Sequence, residues 1–268
     1  DNRFQTLDYL TSHVLNLKSK EKMKLKKSRL KQNKTLKISG SKSISNRLLI
    51  LEKLFKNIKI TNLSNAQDTV LLKNALQEER EKVDIHHAGT AMRFLTSYFA
   101  IQDGKTTILT GSKRMKERPI KNLVTALRTL GADIQYLENE GFPPLKITGK
   151  NILKSEVDIP ANISSQFITS LLLIAGKLEN GLTINLQGEI TSRSYIEMTL
   201  DILTKFGIKN SFIGNTIKVE SFIDHHSSIK NYEVESDWSS ASYFYSFAAI
   251  GRETIHLKSF FRKSLQGD

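Results

Sequence analysis

The 268-residue sequence contains no cysteine. That excludes a disulfide scaffold, a zinc–thiolate site and a cysteine nucleophile, and it suits a reducing, cytoplasmic setting. Four prolines are too few for a proline-rich linker protein. The longest purely apolar run, Leu171 to Ala175, falls far short of the roughly 20 residues of a membrane helix, so no membrane span is expected. No basic segment followed by an apolar one marks a signal peptide near the start. Neither a Walker loop nor a G-x-G-x-x-G fingerprint occurs, so no nucleotide cofactor is expected. The pairs His86-His87 and His225-His226 are poor chelates, because adjacent residues of an extended chain point to opposite sides. No metal is expected. The sequence opens on Asp1 and closes on Leu265-Gln-Gly-Asp268, and both ends read as cuts within a longer protein.

Positive charge is what the chain has in excess, with 40 Lys and Arg against 27 Asp and Glu. Eleven of those cations fall between Lys18 and Lys42, with Glu21 the sole acid among them. A nucleic-acid arm would interleave aromatic residues for base stacking, and this stretch does not. The alternation of Lys24-Leu25-Lys26 and of Leu36-Lys37-Ile38 predicts strands with one solvated face, whose lysines guard an edge.

The sequence also repeats itself. Four segments share a plan of small or hydroxyl residues, an apolar helix and a strand. They start at Gly40-Ser-Lys-Ser-Ile-Ser-Asn-Arg47, Ala88-Gly-Thr-Ala-Met-Arg93, Ser164-Ser-Gln166 and Asp237-Trp-Ser-Ser-Ala241. A second helix follows in the complete copies. One has its apolar face at Ile120, Leu123, Val124, Leu127 and Leu130, with Pro119 expected in its first turn and Gly131 at its end. The other uses Ile196, Leu200, Leu203 and Phe206, and ends at Gly207. Two short strands come after each glycine. The unit therefore reads strand-helix-strand-helix-strand-strand, giving an α/β (α+β) fold with three roughly complete copies, the first short, and a fourth broken off at Asp268.

Each first helix begins at residues suited to anions. Free backbone N–H groups and the helix dipole favour negative charge there. A single Ser at such a position is ordinarily a cap. Several homologous ends with basic residues in the same turn (Lys42 with Arg47, and Arg93) would instead make one polyanion site if the copies pack around a common axis. Lys113, Arg114, Lys116 and Arg118 form a second cationic cluster beyond a strand end, where α/β folds commonly place ligands.

These motifs, with Leu109-Thr-Gly, Arg114-Met-Lys-Glu-Arg-Pro119, Ser192 with Tyr195, and Asp237 with Ser239-Ser-Ala-Ser-Tyr-Phe244, stand in an order that resembles the 5-enolpyruvylshikimate-3-phosphate synthases. The resemblance runs from about Leu25 to Asp268. It implies a fold of repeated βαβαββ units in two domains. Residues 39–233 would form the first domain, 23–38 and 234–268 parts of a second domain mostly missing here, and 1–22 an unplaced extension. It implies transfer of an enolpyruvyl group from phosphoenolpyruvate to the 5-hydroxyl of 3-phosphoshikimate, in the shikimate pathway of aromatic amino-acid synthesis, by a cytoplasmic monomer that uses no cofactor.

By the same resemblance, Lys42, Ser43, Arg47, Ser164, Ser165, Gln166, Ser192, Tyr195 and Asp268 bind 3-phosphoshikimate. Lys42, Gly89, Arg118, Gln166 and His87 bind phosphoenolpyruvate. Lys42 and Asp268 are the catalytic acid and base. His87 stands where the family usually has Asn, and a histidine there would add pH sensitivity to phosphoenolpyruvate binding. Phe94 replaces the usual Pro, and Arg193-Ser194 the usual Lys-Pro, which bears on glyphosate response. Two alternatives remain open. One is a sister transferase acting on a UDP-aminosugar, which typically carries a Cys between the positions of Gly111 and Arg118. The other is a 3-phosphoshikimate-binding fragment without turnover.

Overall fold

The computed structural model describes residues 34–55, 57–77, 80–222 and 230–266. The basic run before Lys34, the pair His225-His226 and Asp268 lie outside these residues. The chain begins with β1 (Lys34–Lys37), α1 (Lys42–Leu54), β2 (Ile58–Thr61) and α2 (Gln67–Gln77). A complete unit follows: β3 (Lys82–Asp84), α3 (Gly89–Ala100), β4 (Thr106–Thr110), a short α4 (Lys113–Lys116), α5 (Lys121–Leu130), β5 (Asp133–Tyr136) and β6 (Leu145–Thr148). The next repeats it: β7 (Glu156–Pro160), α6 (Ser165–Ala175), β8 (Leu182–Gln187), α7 (Arg193–Lys205), β9 (Asn210–Ile213) and β10 (Thr216–Val219). The last elements are β11 (Lys230–Glu233), α8 (Trp238–Gly251) and β12 (Ile255–Lys258). No described helix is long and apolar enough to cross a membrane.

The two complete units build the same sheet. Their strand orders are β3-β4-β6-β5 and β7-β8-β10-β9, with the first pair parallel and the others antiparallel. The α5 and α7 helices end at Gly131 (φ 116°) and Gly207 (φ 84°), a left-handed conformation that glycine adopts without steric cost. The first copy differs from the expectation. Among the described residues no strand hairpin follows α2, and the strand parallel to β2 is β11, from far along the chain. The copy is therefore completed by its distant end, not merely shortened. A second correction concerns Pro119. The helix starts two residues later, at Lys121, because Ile120 is held out of helical geometry (φ −134°, ψ 4°) with its N–H donated to Gly141 O at 2.9 Å.

Helices α1, α3 and α6 are buried on nearly every face. A helix apolar all round belongs in a core, and these three pack together at the centre with α2, α5 and α7 beside them. Close approach is permitted by small side chains: Ser97 and Ser170 meet at 2.6 Å between α3 and α6. Outside this body, β1 pairs with β12 in a separate parallel sheet. Two strands of chain lead to it side by side. Gly40 bridges Ser236, and Ser236 Oγ donates to Ile38 O at 2.7 Å.

Helix α8 is different. Only Ala241 of it is buried, while Tyr243, Phe247 and Ile250 are 69%, 52% and 84% exposed.

Candidate functional site

Because the first helices of the units pack side by side, their N-terminal turns collect at one end of the core. A cavity of about 320 Å³ opens there. Its wall is Lys42, Ser43, Asn46 and Arg47 of α1, Thr90 and Phe94 of α3, Ile163 to Gln166 at the start of α6, and Thr191, Ser192 and Tyr195 at the start of α7. Eight expected site residues thus share one space: Lys42, Ser43, Arg47, Ser164, Ser165, Gln166, Ser192 and Tyr195. Ser164 caps α6, its Oγ accepting from Gln166 N at 3.3 Å. Ser192 precedes α7 in a left-handed conformation (φ 54°) and makes no side-chain cap, so its hydroxyl is uncommitted to the helix. A non-glycine residue held there stores strain of the kind that collects at ligand sites.

Arg47 dominates the electrostatics. It is 4% exposed, and burial lowers its pKa from the usual arginine value to about 10. Its guanidinium donates to Thr199 Oγ1 (2.8 Å), Ser43 O (2.7 Å), Tyr195 O (3.1 Å) and Thr169 Oγ1 (3.4 Å). It also lies 5.9 Å and 5.8 Å from the ring centres of Phe94 and Tyr195. Every one of these partners is neutral. A buried cation ordinarily has an anion beside it, and here the open cavity occupies that place. Phe94 thus serves as an aromatic floor under the guanidinium, a use that its departure from the family's proline did not announce.

Of the remaining expected residues, Asp268 lies outside the described ones, and Gly89, Arg118 and His87 stand next to the first group. Gly89 and Thr90 are adjacent in α3, and Thr90 lines the cavity while Gly89, Arg118 and His87 do not. The Arg118 guanidinium lies over Gly89 so closely that a Cβ there would collide with it. His87 Nδ1 is 3.0 Å from Ser112 Oγ, and Ser112 caps α4. Beneath them Arg93, 5% exposed, donates to Gly89 O at 3.0 Å and to Pro119 O at 3.3 Å. Burial first, and then the Arg118 charge, lowers the Arg93 pKa to about 10. This is a second pool of positive potential without a carboxylate partner.

Lys42 is exposed at the lip of the first cavity and also borders a larger cleft of about 860 Å³, whose far wall is the start of α8. Asp237 joins the two sides: its Oδ2 accepts from Lys42 N at 3.1 Å and its Oδ1 from Ser240 N at 3.0 Å. Sequence reasoning missed Asn46, Thr90, Thr169 and Thr199. Thr169 and Thr199 lie three and four residues after Gln166 and Tyr195, a helical spacing that could have found them, whereas Asn46 and Thr90 only adjoin Arg47 and Gly89 and carried no such signal. Among the described residues no group of three or more histidine and carboxylate side chains comes together as a metal site would require.

The family described as EPSP synthase (3-phosphoshikimate 1-carboxyvinyltransferase) matches residues 72–268. A 3-phosphoshikimate 1-carboxyvinyltransferase of Bacteroides fragilis is 47% identical over 237 residues, covering 87% of this chain and 57% of the relative. One from Photobacterium profundum is 37% identical over 266 residues, covering 88% and 61%. The solved EPSP synthase from Acinetobacter baumannii has the same fold, with a TM-score of 0.68 at 22% identity over 88% of this chain and 58% of that one. The chain therefore spans about three-fifths of the length of these relatives.

Proposed function

The chain belongs to the EPSP synthase family, and from that membership we propose that the whole protein transfers the enolpyruvyl group of phosphoenolpyruvate to the 5-hydroxyl of 3-phosphoshikimate, releasing phosphate. One observation carries the reading: a buried arginine with only neutral partners faces a cavity ringed by hydroxyls and helix N-termini. A phosphorylated carboxylate supplies the negative charge that this wall lacks, the serines bonding its phosphate and Arg47 the remainder of the anion.

In this reading Ser164, Ser165 and Ser192 take the phosphate of 3-phosphoshikimate. Ser43, Arg47, Gln166 and Tyr195 hold the rest of it. Gly89, Arg118 and His87 receive phosphoenolpyruvate in the adjoining cluster, Gly89 because a side chain would displace the Arg118 guanidinium. Lys42 stands between the two. The 5-hydroxyl oxygen attacks the central carbon of phosphoenolpyruvate as the methylene carbon takes a proton from Lys42. Asp268, outside the described residues, takes the hydroxyl proton. The product keeps its carbon–carbon double bond, so the adduct must then lose a methyl proton and phosphate. Two polyanions repel one another, and the cations around Arg47 and Arg93 offset that repulsion while alignment supplies rate.

The three packed units, residues 39–233, form the first domain of this reading. The pair β1–β12 and α8 belong to the second, whose remaining part would cover the apolar face of α8. The family's biosynthetic role supports a monomer acting in the cytoplasm, which sedimentation and fractionation test. A second reading is favoured by the same exposed face: the 268 residues alone bind 3-phosphoshikimate without turnover. Calorimetry with 3-phosphoshikimate on this chain, beside phosphate release by the full-length protein, separates them. Absence of binding at millimolar ligand together with absence of turnover would sink both.

A further inference from the structure

Asn46 carries a polar atom that the fold leaves without a partner. It lies one residue before Arg47 in α1, is 0% exposed and lines the cavity of about 320 Å³. Its Oδ1 accepts from Thr69 Oγ1 at 2.7 Å, and Thr69 is itself buried near the start of α2. With Thr69 Oγ1 as the donor of that bond, the amide turns its nitrogen away from Thr69. Nδ2, the other end, is buried and has no hydrogen-bond acceptor. Native folds rarely leave such a donor unpaired, because its lost hydration is not replaced. Tyr136 Oη, the other such atom among the described residues, does not belong to this cavity.

The surroundings of the orphan donor are one-sided. Arg47 follows it in the same turn, and the starts of α6 and α7 complete the wall. Arg47 and these helix starts present positive charge or partial positive charge to the same space. Among the described residues no carboxylate lines the cavity, so Arg47 has no anion beside it and Asn46 Nδ2 has no bonded acceptor. We propose that Asn46 is a binding residue of this site, its Nδ2 donating to an anionic oxygen of the phosphate-bearing ligand held beside Arg47, with Thr69 as the positioning residue that aims it. The inference rests on the reading of the cavity as the 3-phosphoshikimate site.

The test titrates 3-phosphoshikimate into the chain and into Asn46→Ala, and measures melting with and without the ligand. The expected loss of affinity in Asn46→Ala is about 10- to 100-fold, the range for a hydrogen bond to a charged group. The ligand-free melting temperature should barely move, because the lost bond to Thr69 is offset by removal of an unpaired donor. The stabilisation by ligand should shrink. A purely structural residue would show the reverse, a lower ligand-free melting temperature with unchanged affinity, and that result overturns the proposal. If Asn46→Ala does not fold, the wild-type side-chain amide resonance of Asn46 decides. A shift on saturation with 3-phosphoshikimate supports the contact, and an unmoved resonance overturns it. Failure of the wild-type chain to bind at all refutes the substrate reading itself, and this inference with it.

Discussion

Replacing Arg47 by methionine should leave the ligand-free protein as stable as before, or more stable, while removing its affinity for 3-phosphoshikimate. The pKa of Arg47 falls from the usual arginine value to about 10 because burial penalises the cation. That fall corresponds to about 3 kcal/mol of penalty carried at neutral pH. Methionine fills much of the same volume without charge. The hydrogen bonds lost are to groups with other partners, since Tyr195 O also accepts from Thr199 Oγ1 at 2.8 Å. The net effect is a gain of zero to about 3 kcal/mol, or zero to about 10 °C in melting temperature for a protein of this size.

Affinity moves the other way. Removing the cation beside a buried anionic ligand costs about 3–5 kcal/mol, a loss of more than a hundredfold. The pH dependence gives an independent check. The unfolded chain binds the Arg47 proton more tightly than the folded one, so stability attributable to this group rises as pH climbs past about 10. The variant should lack that rise. Scanning fluorimetry and calorimetry suffice. A melting temperature lowered by more than about 6 °C, or affinity within tenfold of wild type, would refute the assignment of Arg47 as a ligand-binding group held at a cost to the fold.

Gly89→Ala is expected to fold normally, because the colliding group is the mobile end of Arg118, and to raise the KM for phosphoenolpyruvate in the full-length enzyme about tenfold without altering 3-phosphoshikimate binding. Gly40→Ala meets backbone instead, at Asn62 O, so thermal unfolding should show a loss of about 2 kcal/mol or more. His87→Asn keeps a group able to bond Ser112 Oγ, and steady-state kinetics should show phosphoenolpyruvate affinity within a few fold and a flatter pH profile. Ile250→Lys on the open face of α8 should change stability by less than about 0.5 kcal/mol and reduce self-association in sedimentation, with ligand affinity unchanged.

Local rules made much of the fold legible. Gly131 and Gly207 end their helices because left-handed backbone there needs no side chain, and the apolar spacing before them named the buried faces. The starts of α1, α3 and α6 were legible as helix starts from their hydroxyls and glycine, and only their recurrence with basic residues in the same turn distinguished them from ordinary caps. Long-range pairing was not. Nothing local to Lys230–Glu233 says that it joins Ile58–Thr61 across the chain, so the first copy looked complete when its partner strand comes from elsewhere. The support of Arg47 was hidden for a related reason. Thr169 and Thr199 sit inside helices, where threonine is unremarkable, and they become ligands of a guanidinium only when α1, α6 and α7 are brought together.

Repetition also explains why the site lies where it does and why it is electrostatically unbalanced. Each copy contributes a helix whose start is positive, and packing the copies about one core points those starts at a common space. Adding Arg47 and Arg93, both buried and both lowered to about 10, concentrates positive potential that no carboxylate among the described residues relieves. Such a wall is costly while empty and favourable when an anion enters. Ligand binding must therefore stabilise the folded chain by mass action as well as occupy it. The same residues that would be poor choices for a stable core suit the proposed task of holding two phosphorylated acids side by side. Their burial in the helix starts, away from competing water, is what gives each of them its strength toward a substrate.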